Sequence, residues 1–529
     1  MARKSVAIIG AGVSGLAAGK VLLEDGFDIT IFDRHKTLGG IWSPDWAYVH
    51  QHTQTIANLM EFSNLHDTEA MDCAPWENIH NYLKRYADKF HLIERIRFET
   101  KIILIDKNDL KNGNLPWIVK IETASSDHEI LQFDLVVVAT GLFSTPEEPN
   151  FRGQNKFAGS IQHIIDIKKE DQLKNKRVIV IGGAKSAIDM ATLAAMHANS
   201  CHMVFSHSYW ILPHKILRGY IPLDYGFSRI FTHIFDPFPN APRSAAFYFL
   251  HRVFSFVFTK ISDSIANFLI SKYKSDLFAD EKFIPKESIR NPHNLMRVTK
   301  EFITMIRENR IIRKLASIDE IIDETTIRLD SGEFLQADLI ICATGFIETF
   351  PFLSETLTKA LVKNTTTSKS DEGIDLDLYR RIIPIGIPNI AFIGLPAPIH
   401  TWMFYEVQCH WMSDYFLGRI KLPNTEKEMY EEIETTRQFI YKMFKRKSYY
   451  FQYYWLEPME IYLRDMGVSL YRTNNWISEY FGVYRPKRLS TLHDERKAKA
   501  EGKTTNIWYF SFQHTILLFL LLLFICFFF

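Results

Sequence analysis

The chain has 529 residues, 47% hydrophobic and 23% charged, with a formal net charge of +1 at pH 7. That length calls for more than one domain, and a charge so near zero gives no basic face for nucleic acid. Cys73, Cys201, Cys342, Cys409 and Cys526 are scattered without CxxC or metal-ligand spacing, which fits a reducing compartment and excludes a redox dithiol and a cysteine metal site.

The first predicted element is an apolar strand over 6–9. It breaks into Gly10-Ala11-Gly12-Val13-Ser14-Gly15 before a helical pattern of Leu16, Ala17, Val21 and Leu22. This is a dinucleotide-binding order: Gly10 allows the tight turn, Gly12 lets backbone approach a pyrophosphate, and Gly15 lets the helix pack on its strand. A second strand over 29–32 ends in Asp33, eighteen residues after Gly15, where a carboxylate meets ribose hydroxyls. Leu38-Gly39-Gly40-Ile41-Trp42 follows, a glycine pair and an aromatic suited to closing over a flavin. Apolar spacing predicts a helix over 78–97 and short strands over 102–105, 117–121 and 130–133.

The strand over 133–138 ends in Ala139-Thr140-Gly141, and a close copy over 337–342 ends in Ala343-Thr344-Gly345. Small-residue turns of this kind suit a chain passing a cofactor, and their repetition marks an internal duplication. Between the copies lies a second fingerprint. A strand over 177–181 leads through Gly182-Gly183-Ala184-Lys185-Ser186-Ala187 into a helix with Met190 and Leu193. Ala184 holds the place of the second glycine, and its methyl crowds a pyrophosphate. The next strand, 202–205, ends in Ser206-His207-Ser208 with no acid. Hydroxyls, a histidine and nearby Lys215 and Arg218 suit a 2'-phosphate, hence NADP, better than NAD.

Residues 216–278 carry an aromatic stripe that reads as core. A strand over 390–394 and a helix over about 403–417, carrying Gln408, His410 and Trp411, come next, and 423–506 reads as charged and aromatic helix. The tail 507–529 is 23 residues, about 34 Å of helix, enough to cross a bilayer core of ~30 Å. Arg485, Lys487, Arg488, Arg496, Lys497, Lys499 and Lys503 on its upstream flank place the body in the cytoplasm.

With two dinucleotide turns and two Ala-Thr-Gly turns, the chain resembles the flavin-containing monooxygenases from about Val6 to Pro423. The resemblance also rests on Trp210 with Pro213 and on the pattern FxGxxxHxxx(Y/F) at Phe157, Gly159 and His163, whose final aromatic is Ile167 here. It implies an α/β fold of two nested Rossmann-like domains with a C-terminal transmembrane helix. The expected division is 1–165 and 326–425 for FAD, and 166–325 for NADP with an insert at about 216–292. A helical extension over 426–506 and an anchor over 507–529, in the endoplasmic reticulum membrane, complete it.

By the same resemblance FAD contacts Gly10 to Ser14, Asp33, Ile41 and Trp42, and NADP(H) contacts Lys185 and Ser186. Thr55, Thr140, Gly141, Gly182, Ala187, Ser206, His207, Thr344, Gly345 and Gln408 join the cofactor set. Gln54 falls where animal members carry an asparagine beside the flavin that helps hold NADP and the oxygenated intermediate, and the resemblance makes it the expected catalytic residue. The implied reaction is oxygenation of a soft nucleophile, amine nitrogen or sulfide sulfur, by O2 through a C4a-hydroperoxyflavin, with no metal and no nucleic acid. A Baeyer–Villiger monooxygenase, which would end the pattern in tryptophan, an NADPH oxidase releasing peroxide and a non-catalytic tethered flavoprotein remain alternatives. The substrate and the oligomeric state, homo-oligomer included, are open.

Overall fold

A computed structural model describes residues 3–108, 116–212, 215–216, 221–222, 227–232, 237–243, 245–289, 295–362, 375–396, 398, 401–444 and 456–503. Residues 6–9 are apolar on both faces, and the Ser5–Ile9 strand is accordingly interior to a sheet. That sheet runs Ile390–Phe392, Leu135–Val138, Ser5–Ile9, Asp28–Phe32, Ile96–Arg97, all parallel, with Ala7 opposite both Thr30 and Val136. The Val13–Glu24 helix packs between this sheet and the Thr401–Phe416 helix, a long segment buried on nearly every side. A strand from residue 390 thus completes a sheet begun at residue 5.

A second parallel sheet runs Ile311–Leu315, Ser200–Phe205, Arg177–Ile181, Leu339–Cys342, Ser160–His163. Its extent corrects the expected boundaries. The strand bearing the second Ala-Thr-Gly turn pairs with Arg177–Ile181 and so belongs to the second sheet, which runs from 160 to 342 rather than from 166 to 325. The duplication reaches further than the two turns. Each unit inserts a three-stranded antiparallel sheet before its Ala-Thr-Gly strand: Thr100–Lys107, Trp117–Thr123 and His128–Phe133 in the first, Ile318–Ile321, Thr326–Leu329 and Phe334–Gln336 in the second.

The helix expected over 78–97 is Trp76–Lys89. His91 takes a left-handed φ of 54°, which ends the helix, and residues 96–97 join the first sheet instead. Within the aromatic insert an Ala245–Lys272 helix turns Phe247 and Leu269 inward but leaves Phe249 67% exposed, so the stripe is core on one side only. The tail 507–529, with its expected anchor, lies outside the described residues; among those described, no helix is long and apolar enough to cross a membrane.

The C-terminal extension is held on by buried ions. Arg229, 1% exposed, joins Glu460 and Glu479, tying the insert to the Leu456–Met466 and Trp476–Phe481 helices. Arg496 of the Leu492–Ala500 helix reaches Asp414 at 2.8 and 3.0 Å, Asp25 at 2.9 Å and His410 Nδ1 at 2.6 Å. Burial, with the Arg496 cation beside it, pushes the His410 pKa well below its usual value, and the Arg496 contact needs its Nδ1 unprotonated. Arg496→Ala strands two carboxylates and should cost about 3–5 kcal/mol, read as a lowered thermal midpoint of the holoprotein. Because the folded-state pKa of His410 is depressed, its contribution is complete above the unfolded value near 6.5 and is lost as pH falls below it. The midpoint should therefore drop between pH 7.5 and 5.5, and His410→Gln should flatten that drop.

Candidate active site

The two glycine turns have one geometry. Gly10 (φ 110°) donates its N–H to Phe32 O at 2.8 Å, and Gly182 (φ 127°) donates to Val204 O at 2.9 Å. On the other side, Ala139 donates to Ile9 O and Ala343 to Ile181 O, both at 2.9 Å. A Cβ on Gly10 would stand 2.7 Å from Ala139 O, and one on Gly182 would stand 2.4 Å from Ala343 O. Each Ala-Thr-Gly turn is therefore pressed against the first glycine of its own unit.

The third position differs between them. A Cβ on Gly15 would meet Gly10 O at 1.8 Å, which forbids any side chain, whereas Ala187 is accommodated, 3.3 Å from where a Gly182 Cβ would be. Ala11, Gly15 and Ala187 are buried, so their side-chain positions back the turns from within the fold. Gly12 and Gly40 face each other: a Cβ on Gly40 would stand only 3.2 Å from Gly12 Cα. Gly394 closes the same corner: its Cβ would stand 2.5 Å from Ser14 Oγ. Val13 and Ile41 are half-buried at this corner, and Trp42 is 9% exposed beside Gly39.

Asp33 sits at the end of its strand, as expected, and its carboxylate binds the turn itself, accepting from Ala11 N at 2.7 Å and His35 N at 2.9 Å. Thr140 Oγ1 is buried with no partner, while the equivalent Thr344 Oγ1 donates to Glu147 O at 2.5 Å. Gly141 and Gly345 are half-buried with positive φ at these turn ends. The helices Val13–Glu24 and Lys185–His197 carry no acid in their first turns, so neither N-terminus repels an anion. Backbone faces without side chains, open helix N-termini and the orphan Thr140 hydroxyl fit a dinucleotide phosphate at each turn.

The remaining expected residues divide. Gln54 is exposed and its Oε1 accepts from Arg297 N at 3.3 Å, which places it where the first unit's 43–75 segment meets the Leu295–Arg297 strand. Thr55 is half-buried on the same segment, its carbonyl taken by Cys73 N. Ser206 and His207 are exposed beyond the Ser200–Phe205 strand and bond each other at 2.8 Å. Ser186 is half-buried at the start of its helix; the Lys185 ammonium turns inward to Asp189 and is only 12% exposed. Gln408 is corrected: at 0% exposure, with Nε2 on Tyr462 OH at 3.4 Å, it lies in the core between two helices and presents nothing to a cofactor.

The Phe157, Gly159, His163 pattern has a structural cause. A Cβ on Gly159 would meet Asp338 O at 2.3 Å and the Phe157 ring at 2.5 Å. His163 Nε2 donates to Gly345 O at 3.1 Å while Nδ1 accepts from Ile165 N, an arrangement of the neutral ring that burial favours by lowering its pKa. Ile167 is fully buried, which explains why an apolar residue serves at the last position. Sequence reasoning missed Tyr48 and Asp189. Asp189 follows Lys185 by one helical turn, a readable signal, but nothing local marks Tyr48 as its partner.

The flavin-binding monooxygenase-like family matches residues 3–469. The chain belongs to this family. It is therefore a flavin-binding oxidoreductase of the monooxygenase type. The chain is 28% identical over 455 residues to flavin-containing monooxygenase 1 of Sus scrofa, covering 82% of this chain and 77% of that protein. Its fold resembles S-allyl-L-cysteine S-oxygenase from Allium sativum, with a TM-score of 0.59 at 18% identity over 98% of both chains. It also resembles an oxidised steroid monooxygenase bound to NADP, with a TM-score of 0.60 at 18% identity over 95% of this chain and 98% of that one.

The difference between the third positions is testable. Gly15→Ala should purify with less than about a tenth of the wild-type flavin, because the overlap at Gly10 must displace the turn, whereas Ala187→Gly should keep its flavin. Full flavin content in Gly15→Ala, read from the visible spectrum, would contradict the packing described.

Proposed function

We propose that the chain binds FAD at the Gly10–Gly15 turn and NADP(H) at the Gly182–Ala187 turn, and oxygenates a soft nucleophile, amine nitrogen or sulfide sulfur, of a small molecule with O2. The observation that carries this reading is the matched pair of cradles, in which Gly10 on Ala139 and Gly182 on Ala343 give one protein two dinucleotide sites. Family membership and the NADP bound by the steroid monooxygenase of similar fold support the assignment. Flavin, when bound, supplies the hydride acceptance and oxygen activation that no protein side chain offers.

The chain's part is placement and dryness. The N-termini of the Val13–Glu24 and Lys185–His197 helices would offer their free amides to a pyrophosphate at each turn. Asp33 braces the first turn through Ala11 N, and its carboxylate keeps acceptor capacity that would serve a ribose hydroxyl. Gln54 gives its oxygen to Arg297 N and keeps its amide N–H groups for a bound group at the joint of the units. Ser206 and His207, at the end of the second unit's second strand, stand where a 2'-phosphate is read.

The deciding experiment is anaerobic reduction of the holoprotein by NADPH, then by NADH, followed by mixing with oxygen in the presence of a tertiary amine or a thioether. Oxygenated amine or sulfide matching the NADPH consumed supports the reading. Stoichiometric peroxide with no product would make the protein an oxidase, and lactone or ester from a cyclic ketone would make it a Baeyer–Villiger enzyme.

The reading extends to the tail. Residues 507–529 anchor the protein in the endoplasmic reticulum membrane with its body in the cytoplasm, supported by their length and by the basic flank that ends at Lys503. Truncation after Lys503 should move the protein from the membrane pellet to the supernatant with FAD still bound. Persistent pelleting would give the docking role to the exposed Phe249 face.

A further inference from the structure

The two dinucleotide units are joined by a hydrogen-bonded chain that begins at one glycine turn and ends at the other unit's flavin-side loop. Asp189, 2% exposed, holds the Lys185 ammonium with Oδ1 and accepts from Tyr48 OH with Oδ2 at 3.0 Å. Tyr48 belongs to the first unit's 43–75 segment, 141 residues away in sequence. Its own N–H donates to Gln51 Oε1 at 3.3 Å, and Gln51 Nε2 donates to Ile41 O at 3.0 Å. Ile41 follows the Gly39-Gly40 pair that closes against Gly12. Six residues beyond Tyr48, Gln54 is fixed a second time, by Arg297 N.

Other contacts make the junction stiff. Val49 N donates to Ile167 O at 2.9 Å, and Lys168 Nζ donates to Ala47 O at 2.8 Å and Asp45 O at 3.1 Å. Those bonds run from backbone to backbone or to a surface lysine on the linker, and they orient the segment without touching either glycine turn. The Tyr48 hydroxyl links it to the Lys185–His197 helix, whose N-terminus forms the second cradle, by donating to Asp189 and by also meeting the Ser186 side chain. Tyr48 is 7% exposed, and burial together with the Asp189 charge raises its pKa well above 10, so it donates at every working pH. Lys185 is committed to Asp189, which makes it a brace of this junction before it is a phosphate ligand.

We propose that Tyr48 and Asp189 are positioning residues whose hydrogen bond sets the register of the second dinucleotide cradle against the flavin-side loop. The inference rests on the cofactor reading above. The step that depends on register is hydride transfer: a hydride carrying two electrons leaves the nicotinamide, which is oxidised, and is accepted by the flavin, which is reduced. Each dinucleotide is bound by its own turn, so loosening the junction leaves both affinities intact. The junction sets how the two cradles are placed against each other, and hydride transfer between groups held there would be steeply sensitive to that placement.

The test uses full-length holoprotein carrying Tyr48→Phe, which removes one hydroxyl and keeps the ring. Expected results are FAD content and NADP+ affinity by calorimetric titration within about twofold of wild type, flavin reduction by dithionite unchanged, and anaerobic reduction by NADPH slowed about tenfold. Asp189→Asn, which also weakens the Lys185 pair, should slow the NADPH step at least as much, and the double variant should be no slower than Asp189→Asn alone, because the Tyr48 contact is already lost there. Unchanged NADPH reduction in Tyr48→Phe would overturn the proposal. So would a parallel loss of FAD or NADP+ binding, which would make Tyr48 a folding contact. Failure of the wild type to be reduced by NADPH would instead remove the cofactor reading, and this proposal with it.

Discussion

Everything in the two nucleotide sites depends on a contact between backbones. In each unit the first glycine of the turn lies against the carbonyl of the alanine that ends the neighbouring strand, at a separation that leaves no room for a methyl group. The strand register produces this contact. Ile9 pairs with Val138 and Ile181 with Cys342, so the residues that leave the sheet together are a glycine on one strand and an alanine on the other. A shift of one residue in either register would put a side chain where backbone must pass. The sheet is therefore the device that holds the cradle, and the helix N-terminus is aimed by it.

The duplication preserves this contact and varies what surrounds it. Gly15 has no tolerance because Gly10 O lies directly behind it, whereas the second unit has opened enough to take Ala187. Thr140 keeps an unpartnered buried hydroxyl at the first turn, while Thr344 has given its hydroxyl to Glu147 O. The first cradle is the tighter at its third position, while the second is the tighter at its first glycine, and only the first keeps an unpartnered buried threonine hydroxyl at its turn.

Much of this was legible in the sequence because it is local. The strand, glycine turn and helix order, the acid at Asp33 and the repeated Ala-Thr-Gly all follow from short-range pattern, and the parallel sheets follow from them. What could not be read depends on pairing over long distances. The second Ala-Thr-Gly strand was assignable to either sheet until its partner, Arg177–Ile181, was known. Gln408 has helical spacing compatible with a cleft or a core, and only the position of Tyr462 decides for the core. Tyr48 and Asp189 carry no pattern at all, since a phenol and a carboxylate 141 residues apart meet only when both units are in place.

The same logic explains why the joints of this molecule are polar while its sheets are not. Apolar contact is indifferent to sliding, so a core of Val, Ile and Leu fixes which elements meet better than it fixes their angle. Where orientation matters, the chain uses buried groups with one good geometry: Tyr48 on Asp189 between the units, Arg229 on Glu460 and Glu479 under the insert, Arg496 on Asp414 and Asp25 at the last described helix. Such groups add little net stability over an apolar pair, but leaving one partner unmatched is expensive, so wrong alignments are penalised. Arg496 extends this to the C-terminus, because it ties the helix just before Lys503 to Asp25, which caps the helix that the first glycine turn begins. Whatever the tail is fastened to is thereby fastened, through three buried side chains, to the first cradle.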